Sequence, residues 1–239
     1  MKTAAFLSVS ILFVLNSCII DGWDNGISGN GNVVEETRNV SGFTGVHAST
    51  GIDVYLYEGD DFEVKVEADE NLMEIILTEV EGKVLVIKTD RVNIRNAKSK
   101  KVFVTLPELE ELKISSAGDC EGMTPFFCED LRISISSAGD LTLEVEADRI
   151  DLDISSSGDA RISGRTQQLD ASLSSAGDLH AFDLIAEVVD VRVSSAGDAR
   201  VHANEEISMD ASSAGNIYYK GDADVVHSRS SSAGDIVKK

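Results

Sequence analysis

From about residue 111 onward the chain alternates apolar and polar positions with a period of two, and one small-residue phrase interrupts the alternation at regular intervals. Leu131, Ile133 and Ile135 enclose Arg132 and Ser134. Ile150, Leu152 and Ile154 enclose Asp151 and Asp153, and Val189, Val191 and Val193 enclose Asp190 and Arg192. After an interruption the pattern resumes, as in Leu141, Leu143 and Val145 around Thr142 and Glu144. A period of two is the mark of a strand with one buried face. Each unit therefore predicts two short strands, bent where Ala-Gly relaxes the backbone.

The phrase is Ser-Ser-Ala-Gly-Asp at 115–119, and it recurs, with single changes, at 136–140, 155–159, 174–178, 194–198, 212–216 and 231–235. Its glycines are Gly118, Gly139, Gly158, Gly177, Gly197, Gly215 and Gly234, with gaps of 21, 19, 19, 20, 18 and 19. A constant short period signals stacked supersecondary units. About nineteen residues are too few for a strand–helix–strand crossover, and no helix-period segment intervenes. The expected fold is all-β: a parallel β-solenoid of about 19-residue coils, equivalent residues about 4.8 Å apart. Six coils would span about 29 Å at that spacing.

Stacking turns each phrase position into a column. Continuing the alternation from Ile154 places Ser156 inward, with Ser116, Ser137, Ser175, Ser195, Ser213 and Ser232 as its equivalents. These hydroxyls are expected to pass hydrogen bonds along the axis, and the glycine column to avoid a Cβ clash at the corner. The last column holds Asp119, Asp140, Asp159, Asp178, Asp198, Asn216 and Asp235. Two unit charges 4.8 Å apart repel by about 0.9 kcal/mol in water and about 3.5 kcal/mol at an effective dielectric of 20. Something must offset that repulsion. The reading adopted is that each carboxylate accepts backbone N–H groups at the turn and faces water. A row of Ca²⁺ ions is the alternative. It is disfavoured because the Gly-Gly-x-Gly-x-Asp repeat is absent, one carboxylate per coil is a sparse ligand set, and Asn216 keeps an acceptor while losing charge.

Residues 33–113 lack the phrase but keep the alternation, at Ile52, Val54 and Leu56, at Phe62, Val64 and Val66, at 84–87 and at 102–104. Asp69 to Val80 is the one helix candidate, with Leu72, Ile75, Ile76 and Val80 on one face. This part is expected to be an irregular β-rich cap over the end of a solenoid formed by residues 114–239. Ser49-Thr50-Gly51-Ile52-Asp53 is a degenerate candidate for a first phrase.

The chain begins with Met1-Lys2 and an apolar run from Ala4 to Leu15, too short to span a bilayer as a helix. It reads as a signal peptide over 1–17. Leu15-Asn16-Ser17-Cys18 resembles a bacterial lipobox, which makes Cys18 the expected lipid attachment site and the protein an exported outer-membrane lipoprotein, periplasmic or surface-facing. An ordinary signal peptide with an incidental Cys is the competing reading. Residues 18–32, rich in Gly and Asn and carrying Trp23, read as a flexible tether.

Charge narrows the partners. Lys and Arg total 21 against 42 Asp and Glu, a net charge of −21. That balance argues against nucleic acid, whose binding is driven by clustered Lys and Arg, and against docking of the protein surface on anionic lipid. Membrane contact is expected through acyl chains alone. Hydrophobic residues make up 42%, enough for a core.

The segments Val40-Ser41-Gly42-Phe43-Thr44-Gly45-Val46, Gly51-Ile52-Asp53-Val54-Tyr55-Leu56, Ala68-Asp69-Glu70-Asn71-Leu72 and Gly82-Lys83-Val84-Leu85-Val86-Ile87, followed by the repeats, carry a resemblance. Together they resemble the putative auto-transporter adhesin, head GIN domain family, common among Bacteroidetes lipoproteins, over residues 33 to 237. The resemblance implies a single-stranded, right-handed parallel β-helix on an exported protein. It implies no catalytic residues and no ligand.

Catalytic chemistry is thin. His47, His180, His202 and His227 occupy different repeat positions, so no metal site and no cofactor are expected. The repeated Ser lacks a Gly-x-Ser-x-Gly elbow. Cys120 and Cys128 are a candidate disulfide in an oxidising compartment, with two separate thiols as the equal alternative. The expected function is a non-enzymatic, adhesin-like envelope protein with a glycan or protein ligand and a capacity to self-associate through the last coil. The alternative is a pectin lyase-like enzyme, which would need Arg and Asp converging in a cleft.

Overall fold

The structure, a computed structural model, describes residues 26–90 and 92–239. The signal peptide, Cys18, Trp23 and the first part of the tether lie outside the described residues.

The N-terminal part contributes β1 (Ile27–Ser28), β2 (Val33–Arg38), β3 (Gly45–Ala48), β4 (Asp53–Glu58), β5 (Glu63–Asp69), β6 (Ile76–Glu81), β7 (Val84–Thr89), β8 (Ile94–Arg95) and β9 (Lys100–Leu106). The repeats contribute β10 (Glu111–Ile114), β11 (Asp119–Gly122), β12 (Phe126–Ile135), β13 (Asp140–Ile154), β14 (Asp159–Leu173), β15 (Asp178–Ser194), β16 (Asp198–Ser212), β17 (Asn216–Lys220), β18 (Asp224–Ser231) and β19 (Asp235–Lys238). Among the described residues one 3-10 turn, Glu70–Leu72, is the sole helical element.

The repeats form the expected parallel β-solenoid. Equivalent residues pair from coil to coil, so that Ile135 lies beside Ile154, Ile154 beside Leu173, and Leu173 beside Val193. Within β13 both Val145 and Ile150 are buried although five residues apart. The alternation slips there, so the strand bends over 146–149 and both halves face a common core. Each coil thus has two walls, an inbound one leading into the phrase and an outbound one leaving it. The phrase forms one corner and this bend the other. Cys120, Leu141, Ala160, Leu179, Ala199 and Ile217 alternate small and large along one column, and all are buried. Such alternation fills space to native density without strain.

The N-terminal part does more than cap. β3 pairs in parallel with β10 and β4 with β11, so Ser49–Asp53 sits in register with Ser115–Asp119 as a true first phrase. On the far side β3 pairs with β7 and β4 with β9, again in parallel. The 45–58 rung is therefore slotted between two rungs, 84–106 and 111–122, that both follow it in the chain. Beyond them the strands turn antiparallel: β6 closes on β7, β5 on β9, and β2 on β5. The antiparallel strands cover the edge that the parallel stack would leave open.

Two expectations fail here. The helix predicted over Asp69 to Val80 is absent. Ile76–Glu81 is spent on an antiparallel pair with β7, and the Asp69 side chain makes no helix cap. Its buried carboxylate instead accepts the backbone N–H groups of Gly31 (2.8 Å), Lys98 (2.9 Å) and Ser99 (3.1 Å). The same contacts correct the tether. Residues 26–32 lie against the cap, with β1 paired to β8 and Asn71 bridging Ser28 O and Asn30 N–H. A Gly/Asn composition measures freedom in isolation, and the pairing of β1, together with the bonds of Gly31 to Asp69 and of Asn71 to Ser28 and Asn30, overrides it.

Candidate binding surface

The phrase corner is built differently from the alternation argument. The second Ser of every phrase has a left-handed backbone, with φ of 71° at Ser116, 66° at Ser137, 67° at Ser156, 68° at Ser175, 69° at Ser195, 55° at Ser213 and 53° at Ser232. Thr50, their equivalent in the first rung, has φ 63°. A left-handed non-glycine residue costs on the order of 1–2 kcal/mol. That turn reverses the facing of the next residues, so the second Ser swings outward and the glycine inward. The inward Ser column is thereby corrected: all but the half-buried Ser116 are exposed, and the phrase glycines are buried. Axial hydroxyl bonding falls to the first Ser instead. Ser115, Ser155 and Ser194 donate to Ala48 O, Ile135 O and Leu173 O of the preceding rungs, each at 3.4 Å.

The glycines do form a straight column. A Cβ on Gly158 would lie 3.0 Å from Gly139 O, one on Gly177 2.9 Å from Gly158 O, and one on Gly197 2.5 Å from Gly177 O. Asp159 N–H donates to Gly139 O and Asp178 N–H to Gly158 O, both at 3.2 Å. Glycine is present for close approach, and serine carries the turn.

The aspartate column is stabilised in part as expected. Asp178 Oδ1 accepts the N–H of Asp198 at 2.8 Å, and Asp53 Oδ1 that of Asp119 at 3.5 Å. Asp198 also takes Asn216 Nδ2 at 2.8 Å and Arg200 Nη2 at 3.1 Å. Asn216 thus serves the column as a donor, beyond the acceptor role expected of it. Residual repulsion appears at Asp119. Burial first, then the charges of Asp53 and Asp140, hold its pKa above the usual carboxylate range, against the opposing charge of Lys100. Among the described residues no His, Cys, Asp and Glu cluster is arranged to hold a metal ion.

On the inbound wall the outward column reads Lys113, Ser134, Asp153, Ser172, Arg192, Asp210 and Arg229. Between it and the first-Ser column runs a shallow groove of about 510 Å³, bordered by Asp153, Arg192, Asp210 and Arg229. Arg192 and Arg229 therefore share a column, as do Arg161 and Arg200 on the outbound wall. The charges pair laterally. Arg192 meets Asp190 at 2.8 Å, Arg149 bridges Asp151 and Asp170, and His227 lies 3.5 Å from Asp210.

Cys120 and Cys128 are free thiols. Cys120 is a small member of the core column, and burial pushes its thiol pKa up. Cys128 lies at the second corner, where burial first and then Glu58, Glu108 and Asp130 push its pKa up to about 11. Sequence reasoning missed the neighbour that matters there. Phe126 points into the core, and the next residue, Phe127, is 57% exposed. The signal was the 21-residue gap between Gly118 and Gly139, two longer than the period, which marks an insertion.

The family model described as "Putative auto-transporter adhesin, head GIN domain" matches residues 42–223. Several solved structures share the fold. A putative adhesin from Bacteroides fragilis aligns with a TM-score of 0.81 at 21% identity, covering 90% of this chain and 100% of that one. A putative adhesin from Parabacteroides distasonis aligns at 0.73 and 24% identity, with 90% and 100% covered. A protein of the same organism described as a putative lipid binding protein aligns at 0.75 and 23% identity, with 89% and 99% covered. Comparison with curated proteins gives no match.

Proposed function

Because the chain belongs to the family of the putative auto-transporter adhesin, head GIN domain, we propose that it is a non-enzymatic, adhesin-like binding protein of the cell envelope, tethered to the outer membrane by acyl chains on Cys18. One observation carries the reading. The outward charges of the inbound wall pair with one another along the rungs, Arg149 with Asp151 and Arg192 with Asp190, and between rungs, Arg149 with Asp170, so they hold one another in place instead of converging on a single point. A catalytic centre would aim an acid, a base and an electrophilic group at one reacting atom. Two experiments test the proposal. Cys18→Ala is expected to release the protein from membrane fractions, and unchanged association would refute the anchor. The protein displayed on beads is expected to bind at least one class on a glycan and protein array, and a blank array would refute the binding role.

The inbound groove, with Asp153, Arg192, Asp210 and Arg229 along one border, supports the lyase reading as a second possibility. Release of unsaturated uronides from polygalacturonate, abolished by Arg192→Ala, would establish it in place of the first.

A further inference from the structure

The second corner carries an axial groove that neither the repeats nor the family description assigns. Its floor is a column of small side chains, Cys128, Ala147 and Thr166, in parallel register. Thr166 is buried, and its hydroxyl is already committed to Asp148 O and Gln168 O. One ridge is formed by Phe127, Glu146 and Arg165, which pair rung to rung. Asp148, Gln167 and Glu187 form the other border, with Gln167 Nε2 donating to Asp148 Oδ1. The open groove has a volume of about 380 Å³ and, over the four rungs from Phe127 to Ile185, a length of about 14 Å.

Phe127 stands at one end of this groove with its ring largely in water. Its backbone is fixed from the neighbouring rung, since Phe127 N–H donates to Glu58 Oε2 at 2.7 Å and Glu58 N–H to Thr124 Oγ1 at 2.8 Å. The ring is thus presented at a set place rather than left over from the core. An exposed aromatic face attracts weakly positive C–H groups through its quadrupole. Beside it stand carboxylates that only accept hydrogen bonds and an amide and a guanidinium that donate them.

We propose that this corner groove binds a saccharide chain, one sugar ring stacked on Phe127 and the following ones bonded by Glu146, Arg165, Asp148 and Gln167. A sugar has an apolar C–H face and a rim of hydroxyls that both donate and accept, which is the complement of this groove. Three carboxylates against one guanidinium select neutral glycans over uronic acids. An extended peptide is disfavoured, because β12, β13, β14 and β15 are already paired with one another and offer no free edge for strand addition. The inference rests on the binding role proposed above and names its ligand class.

The test is calorimetric titration of the protein with cellohexaose, chitohexaose and maltohexaose, and with hexagalacturonate as the anionic counterpart. At least one neutral hexasaccharide binds, Phe127→Ala and Gln167→Ala each weaken it by roughly tenfold or more, and Phe127→Tyr preserves it. Lys83→Ala, in the exposed turn between β6 and β7, leaves it unchanged. The proposal is overturned if none of the three neutral probes binds, if hexagalacturonate is preferred, or if Phe127→Ala binds as well as wild type. Loss of binding in Arg192→Ala but not in Phe127→Ala would also overturn it, while leaving the adhesin-like reading intact. Unchanged melting of Phe127→Ala guards against misfolding as the cause.

Discussion

Adding one methyl group at Gly177 tests the division of labour between glycine and serine at the phrase corner. The new Cβ of Gly177→Ala would lie 2.5 Å from Ile154 Cγ2 and 2.9 Å from Gly158 O. Ile154 is a buried core residue, and Gly158 O already accepts Asp178 N–H, so neither can move freely. Overpacking of this kind costs typically 1–3 kcal/mol, and because one contact is to backbone we expect about 3 kcal/mol. For a chain of this size that lowers Tm by roughly 6–12 °C. The control is Ser175→Gly, two residues earlier. It relieves a left-handed serine but loosens the unfolded chain, two terms of about 1 kcal/mol with opposite sign, so its stability stays within about 1 kcal/mol of wild type. Urea and thermal unfolding followed by far-UV circular dichroism measure both. A Gly177→Ala protein as stable as wild type, or a Ser175→Gly protein as damaged as Gly177→Ala, would refute the assignment of close approach to glycine and of the turn to serine.

Three further outcomes follow from named groups. Asp119 has a folded pKa raised by burial and by Asp53 and Asp140, so its charged form opposes folding above that pKa and the penalty disappears on acidification. Asp119→Asn should therefore raise stability at pH 7, by no more than about 1 kcal/mol because the carboxylate is only partly desolvated and still open to water, with the gain vanishing near pH 3; a loss of stability at pH 7 would contradict this. At Asp69, burial raises the pKa, but the N–H groups of Gly31, Ser99 and Lys98 and the charge of Lys98 together outweigh it and hold it below the usual value. Its contribution is present above the unfolded pKa and lost as pH falls through the folded one, so Asp69→Asn should expose Gly31 and Lys98 amides to hydrogen exchange at neutral pH, and unchanged protection would count against the anchor. Of the pair Cys120 and Cys128, alkylation of the native protein should modify Cys128 slowly, and faster as pH rises toward 11, and Cys120 only after unfolding; a disulfide-linked peptide in the non-reduced digest would contradict the two free thiols.

The pattern of the sequence shows which features are local and which are not. The solenoid and its glycine column were legible because a fixed spacing puts the same residue at the same place on every rung. The degenerate phrase at Ser49–Asp53 was legible for the same reason. The facing of Ser156 was not, since it depends on a left-handed backbone at a residue type that avoids it, and alternation cannot register a sign change in φ. The strand at Ile76–Glu81 was misread because its apolar spacing also suits a helix, and β7, which decides the matter, lies beyond it in the chain. The slotting of the 45–58 rung between two later rungs is a long-range pairing with no local mark. Phe127 was overlooked because the segment around it enters the sequence reading only through the candidate disulfide between Cys120 and Cys128. Only the bend at the second corner turns it outward, beside Glu146 of the next rung and at one end of the groove.

In-register stacking is tested most directly by distances along one outward column. Lys113, Arg192 and Arg229 belong to the same column, with Arg192 four rungs and Arg229 six rungs from Lys113. Nitroxide labels at introduced cysteines, in a Cys128→Ser background, can be measured in pairs by double electron–electron resonance. The solenoid predicts backbone separations of about 19 Å for Lys113 with Arg192 and about 29 Å for Lys113 with Arg229, and so an increase of about 10 Å between the two pairs. Equal separations, or a second distance shorter than the first, would contradict it.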